Sequence, residues 1–141
     1  MKNIILILIS MLSMGMVSIA QSTEATFDLT INLKGLKSEI GPVNIGLYDV
    51  KSQWLKTPLK GGSTKIVDGV AVIVFSDLLP GDYAISTYHD ENDNGELDSN
   101  LVGIPKEPYA FSNNARNMFG PASWDDSQFS LKDHKTIVIN F

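Results

Sequence analysis

The chain has 141 residues, of which 43% are hydrophobic and 19% are charged, and this balance excludes a wholly disordered or collagen-like protein. It contains no cysteine, which excludes disulfides, thiol nucleophiles and zinc–thiolate sites. The formal net charge of −5 argues against a nucleic-acid partner, because proteins that bind nucleic acids usually carry a basic face. The length fits one domain with a single packed core.

The N-terminal segment predicts export. Lys2 is followed by an almost wholly apolar run over residues 4–12, and Ser18-Ile19-Ala20 provides the small residues that a signal peptidase accepts. The apolar run is shorter than the roughly 20 residues of a membrane-spanning helix, and no cysteine is present to carry a lipid anchor. We therefore expect a signal peptide over 1–20 and a periplasmic or secreted domain over 21–141, with no membrane span after cleavage.

The mature part shows the two-residue periodicity of half-buried strands, clearest where Leu29, Ile31 and Leu33 alternate with polar residues. No stretch has convincing helical spacing over more than two turns. The pattern predicts strands near 25–34, 43–50, 70–76, 82–89 and 135–141, with a weaker candidate at 128–131. Short strands separated by Gly, Pro and Asp indicate an all-β fold, a single antiparallel β-sandwich.

A Pro-Gly turn leads into one of these strands, in the segment Leu79-Pro80-Gly81-Asp82-Tyr83. Turns of this kind resemble those of transthyretin-like and carboxypeptidase-regulatory-like sandwiches, which are Ig-like in architecture. In sandwich domains a tyrosine in this position often bonds its hydroxyl to nearby backbone. We therefore expect Tyr83 to be buried, with its hydroxyl bonded near the turn.

Residues 91–125 form a long excursion without a clear strand pattern, and loops of that length are uncommon in compact domains unless they are functional or disordered. The segment is too apolar for a disordered linker, so we expect it to fold back onto the sandwich. The side chains expected to be available for burial are Leu97, Leu101, Val102, Ile104, Tyr109, Phe111, Met118, Phe119 and Trp124.

The segment His89 to Asp98 carries the chemistry that the sequence shows most clearly. Asp90, Asn92 and Asn94 occupy positions 1, 3 and 5 of a calcium-loop pattern, and Gly95 is the glycine at position 6 that permits a sharp turn. Oxygen ligands at every second residue suit calcium, and the pattern continues with the carbonyl of Glu96 and with Asp98.

The loop departs from the full pattern at position 12, where Leu101 replaces the bidentate acid. Glu107 is the candidate for the missing carboxylate, because Pro105 stiffens the chain in between. The alternative is an acidic turn whose Asp and Asn side chains bond their own backbone. The predicted calcium ligands are Asp90, Asn92, Asn94, Glu96, Asp98 and Glu107.

Residues 79–124 resemble the small exported bacterial proteins of domain-of-unknown-function family 2141. The resemblance rests on the Leu79–Tyr83 turn, on the acidic loop, and on the segments Gly103-Ile104-Pro105-Lys106-Glu107, Phe111-Ser112-Asn113-Asn114-Ala115-Arg116 and Gly120-Pro121. It implies a signal peptide and a compact β-sandwich, and it implies no assigned activity.

Two hypotheses for function follow. The first is a non-catalytic, calcium-stabilised binding or structural module of the cell envelope, monomeric, with an envelope or extracellular ligand. The second is a small hydrolase-like enzyme that uses His89, Asp90 and Arg116 under the long loop. The sequence has no nucleophile-elbow, His-Glu-x-x-His or phosphate-loop motif, which favours the first.

Overall fold

The computed structural model describes residues 24–141, so the predicted signal peptide lies outside the described residues. Two sheets pack face to face, one with strand order β4-β1-β8 and the other with order β3-β2-β5-β6, while β7 pairs with the start of β5. The strands are β1 Phe27–Lys34, β2 Val43–Tyr48, β3 Lys60–Thr64, β4 Val70–Leu78, β5 Gly81–His89, β6 Tyr109–Phe111, β7 Phe129–Leu131 and β8 Lys135–Asn140.

The all-β sandwich predicted from the sequence is confirmed. The core lies between the sheets, where Leu29, Ile31 and Leu33 of β1 are fully buried and pack in one cluster with Val43 and Leu47 of β2. These residues alternate along their strands because only one face of each strand meets the other sheet. Within residues 24–141, no helix is long and apolar enough to cross a membrane.

One strand pair departs from the antiparallel expectation. β1 pairs with β4 in the antiparallel sense, but its other neighbour, β8, runs parallel to it from Leu29↔Lys135 to Lys34↔Asn140. A parallel pair needs a long crossover connection, and here most of the chain lies between the two strands. The period-two pattern predicts a strand without stating its direction, so this result depends on the tertiary arrangement.

The sequence pattern missed β3, whose glycines Gly61 and Gly62 replace the apolar residues of a typical strand. This strand lies at the edge of its sheet and pairs only with β2. Its side chains also reach β4, since Lys60 Nζ donates to the Ser76 carbonyl (2.7 Å) and Thr64 Oγ1 donates to the Val72 carbonyl (2.9 Å). β3 thereby occupies backbone acceptors of β4 that would otherwise bond water or another strand.

The excursion 91–125 is more regular than expected. It contains β6, which pairs with Ser86–Tyr88 of β5, and it runs into a short helix, α1 (Trp124–Ser127), capped by the hydroxyl of Ser123. Trp124 packs edge-on against Trp54, whose indole N–H donates to the Ala122 carbonyl. This aromatic contact holds the end of the excursion on the sandwich.

The expectation that the apolar side chains of the excursion bury is correct for only some of them. Phe111 and Trp124 are buried, whereas Leu97 and Tyr109 are 37% exposed. The buried pair packs against Trp54, which contacts both rings, whereas the side chain of Tyr109 stays partly in solvent although it lies on β6. The side chains that the structure leaves exposed are Leu101, Val102, Ile104, Met118 and Phe119.

Tyr83 lies where the sequence predicted. Its side chain is buried, and its hydroxyl donates to the Leu79 carbonyl at 2.7 Å, directly beside the Pro80-Gly81 turn. Burial raises the pKa of Tyr83, and the negative charge of Asp49 raises it further.

Candidate metal site

The acidic loop begins where β5 ends. The backbone N–H of His89 donates to the Pro108 carbonyl, and that of Asp90 donates to the Pro42 carbonyl, both at 2.9 Å. The loop therefore starts between two flanking segments of chain that fix its first residue. The rest of the loop folds around the side chain of Asp90.

The Asp90 side chain organises the loop from within, although it is 0% exposed. Its carboxylate accepts hydrogen bonds from the backbone N–H of Asn94 (3.1 Å), the backbone N–H of Gly95 (2.8 Å) and Asn44 Nδ2 (3.1 Å). Three donors offset the cost of burying this group. Gly95 has φ +82°, a conformation that glycine adopts without strain, and this lets its N–H point at the carboxylate.

Asn92, Asn94 and Asp98 meet on the outer side of the loop. The Asn92 amide donates to Asp98 Oδ2 at 2.6 Å, and the Asn94 amide donates to Asp98 Oδ1 at 3.3 Å. The amide oxygens accept from the backbone, Asn92 Oδ1 from Asn94 N and Asn94 Oδ1 from Glu96 N. Each oxygen keeps a second lone pair, but the amides present N–H groups, not oxygens, to Asp98.

Glu107 reaches the loop from the far side of the excursion. Its buried carboxylate accepts from the backbone N–H of Glu91 at 2.9 Å and from that of Asp98 at 3.0 Å. The structure thus brings Glu107 to the base of the loop, where it bridges the backbone of Glu91 and Asp98.

The carboxylates of the loop act on Tyr88, which lies at its edge. Burial raises the pKa of Tyr88, a hydrogen bond with Asn44 lowers it, and the negative charges of Asp90, Glu107 and Glu96 raise it further. The Tyr88 hydroxyl donates to the Gly95 carbonyl at 2.8 Å. In the described part of the chain, no lysine or arginine forms an ion pair with the loop acids, and Glu91 Oε1 lies 3.8 Å from His89 Nδ1.

The predicted ligands therefore gather around one loop without all converging on one point. Across residues 24–141, no three His, Asp or Glu side chains are arranged to hold a metal ion together. Sequence reasoning missed Asn44 and Tyr88, which face the loop from β2 and β5 and stand opposite each other in register. Only the strand pairing reveals this, because the two residues are far apart in sequence.

The family relationship is decided by one comparison. A family model described as "Uncharacterized protein conserved in bacteria (DUF2141)" matches residues 31–139. The chain belongs to this family. No curated protein and no solved structure matches it significantly.

As a member of DUF2141, the chain carries the acidic loop, Glu107 and the whole excursion inside the matched region. The description of the family names no activity, so function has to be inferred from the side-chain geometry. An open groove of about 910 Å³ lies next to the loop, and the residues that line it include Glu39, Asp93, Thr64 and Lys65.

The residues of the hydrolase hypothesis are not brought to one cleft. His89 is buried at the end of β5 with Nε2 2.7 Å from the Ile40 carbonyl, and Asp90 is bonded to the loop backbone. Arg116 lines a separate small cavity of about 70 Å³ with Tyr109 and Phe111. Asp125, a possible partner for Arg116, instead pairs with Lys51 Nζ at 2.6 Å.

Proposed function

We propose that this protein is an exported, non-catalytic β-sandwich module of the cell envelope, with a binding or structural role, whose loop over 90–98 is stabilised by a calcium ion. The observation that carries the proposal is the acidic loop itself. Two buried carboxylates, Asp90 and Glu107, order its backbone, while the exposed Asp93 and Glu96 and the half-buried Asp98 add negative charge to the same few residues. Like charges so close together repel one another unless a cation reduces the repulsion.

The donor chemistry around the loop fits a hard cation. The candidate ligands are all oxygens, and calcium takes six to eight oxygen ligands in flexible geometry. The side chains of Asn92, Asn94 and Asp98 are already in contact. A calcium ion at this place would neutralise carboxylate charge that the amide N–H groups now satisfy only in part. The proposed donors are the side chains of Asp90, Asn92, Asn94, Asp98 and Glu107 and the carbonyl of Glu96.

The same contacts indicate weak binding. An entering ion competes with the two amide–carboxylate hydrogen bonds to Asp98, and two of its side-chain ligands are neutral amides. We expect a dissociation constant of roughly 0.1–1 mM, the range of extracellular calcium modules. Such a site contributes to stability where calcium is abundant, which suits an exported protein.

Calcium should raise the melting temperature of the wild-type protein, and a chelator should reverse the effect. At calcium about a hundred times the dissociation constant, mass action stabilises the folded state by ~2.7 kcal/mol. Asp90→Ala should abolish the calcium-dependent part of the shift, and Glu107→Gln should weaken it. The measurement is a melting curve of each variant with calcium and with chelator, together with titration calorimetry.

The comparison must use the calcium-dependent shift, not the melting temperature alone. Asp90 and Glu107 bond loop backbone directly, so both variants are destabilised even without metal. Asp98→Asn is a milder variant that keeps the shape of the side chain and removes one charge. Asp133→Ala, an exposed acid far along the chain, is the control and should leave the calcium shift unchanged. Absence of both binding heat and any melting response to calcium would eliminate the ion.

Export is tested independently of calcium. When the full chain is produced in a bacterial host, mass spectrometry of the exported fraction should find a protein that begins at Gln21. Replacing three h-region leucines by aspartate should retain the unprocessed chain inside the cell, because a charged segment no longer resembles a signal peptide. An unprocessed chain in the cytoplasm of the wild-type culture would contradict export.

A further inference from the structure

The chain leaves the acidic loop as a small hairpin over residues 98–107, here called the tip hairpin. Lys106 N donates to the Asp98 carbonyl at 2.8 Å, and Asn100 N donates to the Ile104 carbonyl at 2.9 Å. Ser99 and Pro105 form an antiparallel bridge between these bonds. The hairpin is thus anchored at its base, where Glu107 accepts from the backbone N–H of Asp98.

The turn of the tip hairpin satisfies its own backbone. Asn100 Oδ1 accepts from Val102 N (3.0 Å) and Ile104 N (2.9 Å), and the Asn100 carbonyl accepts from Gly103 N (2.9 Å). Pro105 has no N–H to satisfy. The N–H groups of Asn100, Val102, Gly103 and Ile104 therefore need no water, which lowers the cost of placing this backbone at the boundary of an apolar medium.

The side chains at the turn are apolar and lie in solvent. Leu101, Val102 and Ile104 are 108%, 78% and 60% exposed, and residues 99–105 contain no charged side chain. Exposed turns ordinarily carry Gly, Asn, Asp and Ser. A turn with most of its backbone N–H groups bonded and three aliphatic side chains in water is suited to a partly apolar medium.

We propose that the tip hairpin inserts Leu101, Val102 and Ile104 into the interface of a lipid bilayer. A stable protein–protein interface takes about 800 Å² and roughly 20–30 residues from each partner, and three side chains on a convex turn fall well short of that. A bilayer needs no complementary shape, and aliphatic side chains gain from partial burial at its headgroup–acyl boundary. The shape and chemistry of the tip therefore favour lipid over a second protein.

The charges at the base of the tip select the lipid. Asp93, Glu96 and Asp98 lie in the loop next to the hairpin, and Lys106 is the one lysine or arginine between Lys65 and Arg116. An anionic headgroup would be repelled by these carboxylates, whereas the ammonium group of a zwitterionic headgroup is attracted to them. We infer a preference for zwitterionic over anionic phospholipid.

The test measures partition of the exported, processed protein onto vesicles by co-sedimentation, with chelator present so that the result does not depend on calcium. Wild-type protein should bind vesicles of phosphatidylcholine and bind vesicles of phosphatidylglycerol more weakly. Val102→Ser should lower the partition coefficient about tenfold, since one aliphatic side chain is worth a factor of that order. Val67→Ser is the matched control, because Val67 is 66% exposed in a different turn.

Each result supports or overturns the proposal. Loss of binding in Val102→Ser, with Val67→Ser unchanged and both melting temperatures at the wild-type value, supports it. Wild-type protein that stays in the supernatant at millimolar lipid overturns it, as does binding that Val102→Ser leaves intact or that favours phosphatidylglycerol. Self-association in the absence of vesicles that Val102→Ser abolishes would assign the tip to a second copy of the chain instead.

Discussion

Tyr83→Ala should lower the free energy of unfolding by about 3–5 kcal/mol, as for other buried aromatic residues cut back to alanine. The Tyr83 ring is 4% exposed and belongs to the main core cluster, so the substitution leaves a cavity where both sheets and β7 meet. Chemical denaturation followed by circular dichroism measures the change.

Tyr83→Phe distinguishes the contribution of the ring to stability from that of the hydroxyl. It keeps the packing and loses the hydrogen bond to the Leu79 carbonyl, a loss of about 0.5–1.5 kcal/mol. A Tyr83→Ala protein as stable as wild type would show that the ring does not hold the corner. Equal losses in the two variants would show that only the hydroxyl does.

The raised pKa of Tyr83 adds a dependence on pH. Because the folded protein holds the phenol proton more tightly than the unfolded chain does, the unfolded chain binds fewer protons above its own pKa of about 10. Stability should therefore fall as the pH rises beyond about 10, and the fall should be smaller in Tyr83→Phe. The comparison requires denaturation of both proteins across the alkaline range.

Gly41→Ala should be the most damaging small substitution near the acidic loop. Gly41 has φ +78°, and a Cβ there would stand 1.9 Å from the Asp90 carbonyl oxygen and 3.1 Å from Glu91 Cα. These are backbone atoms that cannot rotate away, so the base of the loop must shift. Strain from the left-handed conformation, of about 1–2 kcal/mol, and overpacking, of about 1–3 kcal/mol, together predict a loss of several kcal/mol in unfolding free energy.

Gly103→Ala is the matched control for this substitution. Gly103 has φ +81°, but a Cβ there meets nothing within 4 Å, so alanine brings the conformational strain without the clash. The difference between the two variants isolates the contact with Asp90. Gly41→Ala should also reduce any calcium response, because Asp90 N is fixed by the neighbouring Pro42 carbonyl. Equal losses for the two alanine variants would contradict the clash.

The acidic loop shows how far spacing can go in predicting a site. The spacing of Asp90, Asn92, Asn94 and Gly95 predicted either a calcium loop or an acidic turn whose side chains bond their own backbone, and the structure has such bonds because they join near neighbours in sequence. Glu107 also lies against the loop, as the stiff segment before it indicated. What spacing could not give is the direction of each amide, since that is settled by competition among nearby donors. Whether calcium binds stays a prediction.

Burial within the excursion was harder to predict for a similar reason. Hydrophobicity gives Phe111 and Phe119 the same tendency to bury, yet one lies on β6 against β5 and the other is exposed. Burial requires a surface to pack against, and the sequence of the excursion does not say which of its turns the sandwich covers. The exposure of Leu101 and Val102 depends on their surroundings in the folded protein, which the sequence does not specify.

The sequence by itself determined the strands that carry the core, because a strand with one buried face must alternate apolar and polar residues wherever the rest of the chain lies. It also determined the Tyr83 corner and the sharp turn at Gly95, which depend on contacts between residues a few positions apart. The tertiary structure alone decided that β8 runs parallel to β1, that the glycine-rich β3 forms an edge strand, and that Asn44 and Tyr88 face the loop. Those features depend on pairing between segments that are distant in sequence. The residues that stabilise such a pairing lie on both segments, so no local pattern reveals it.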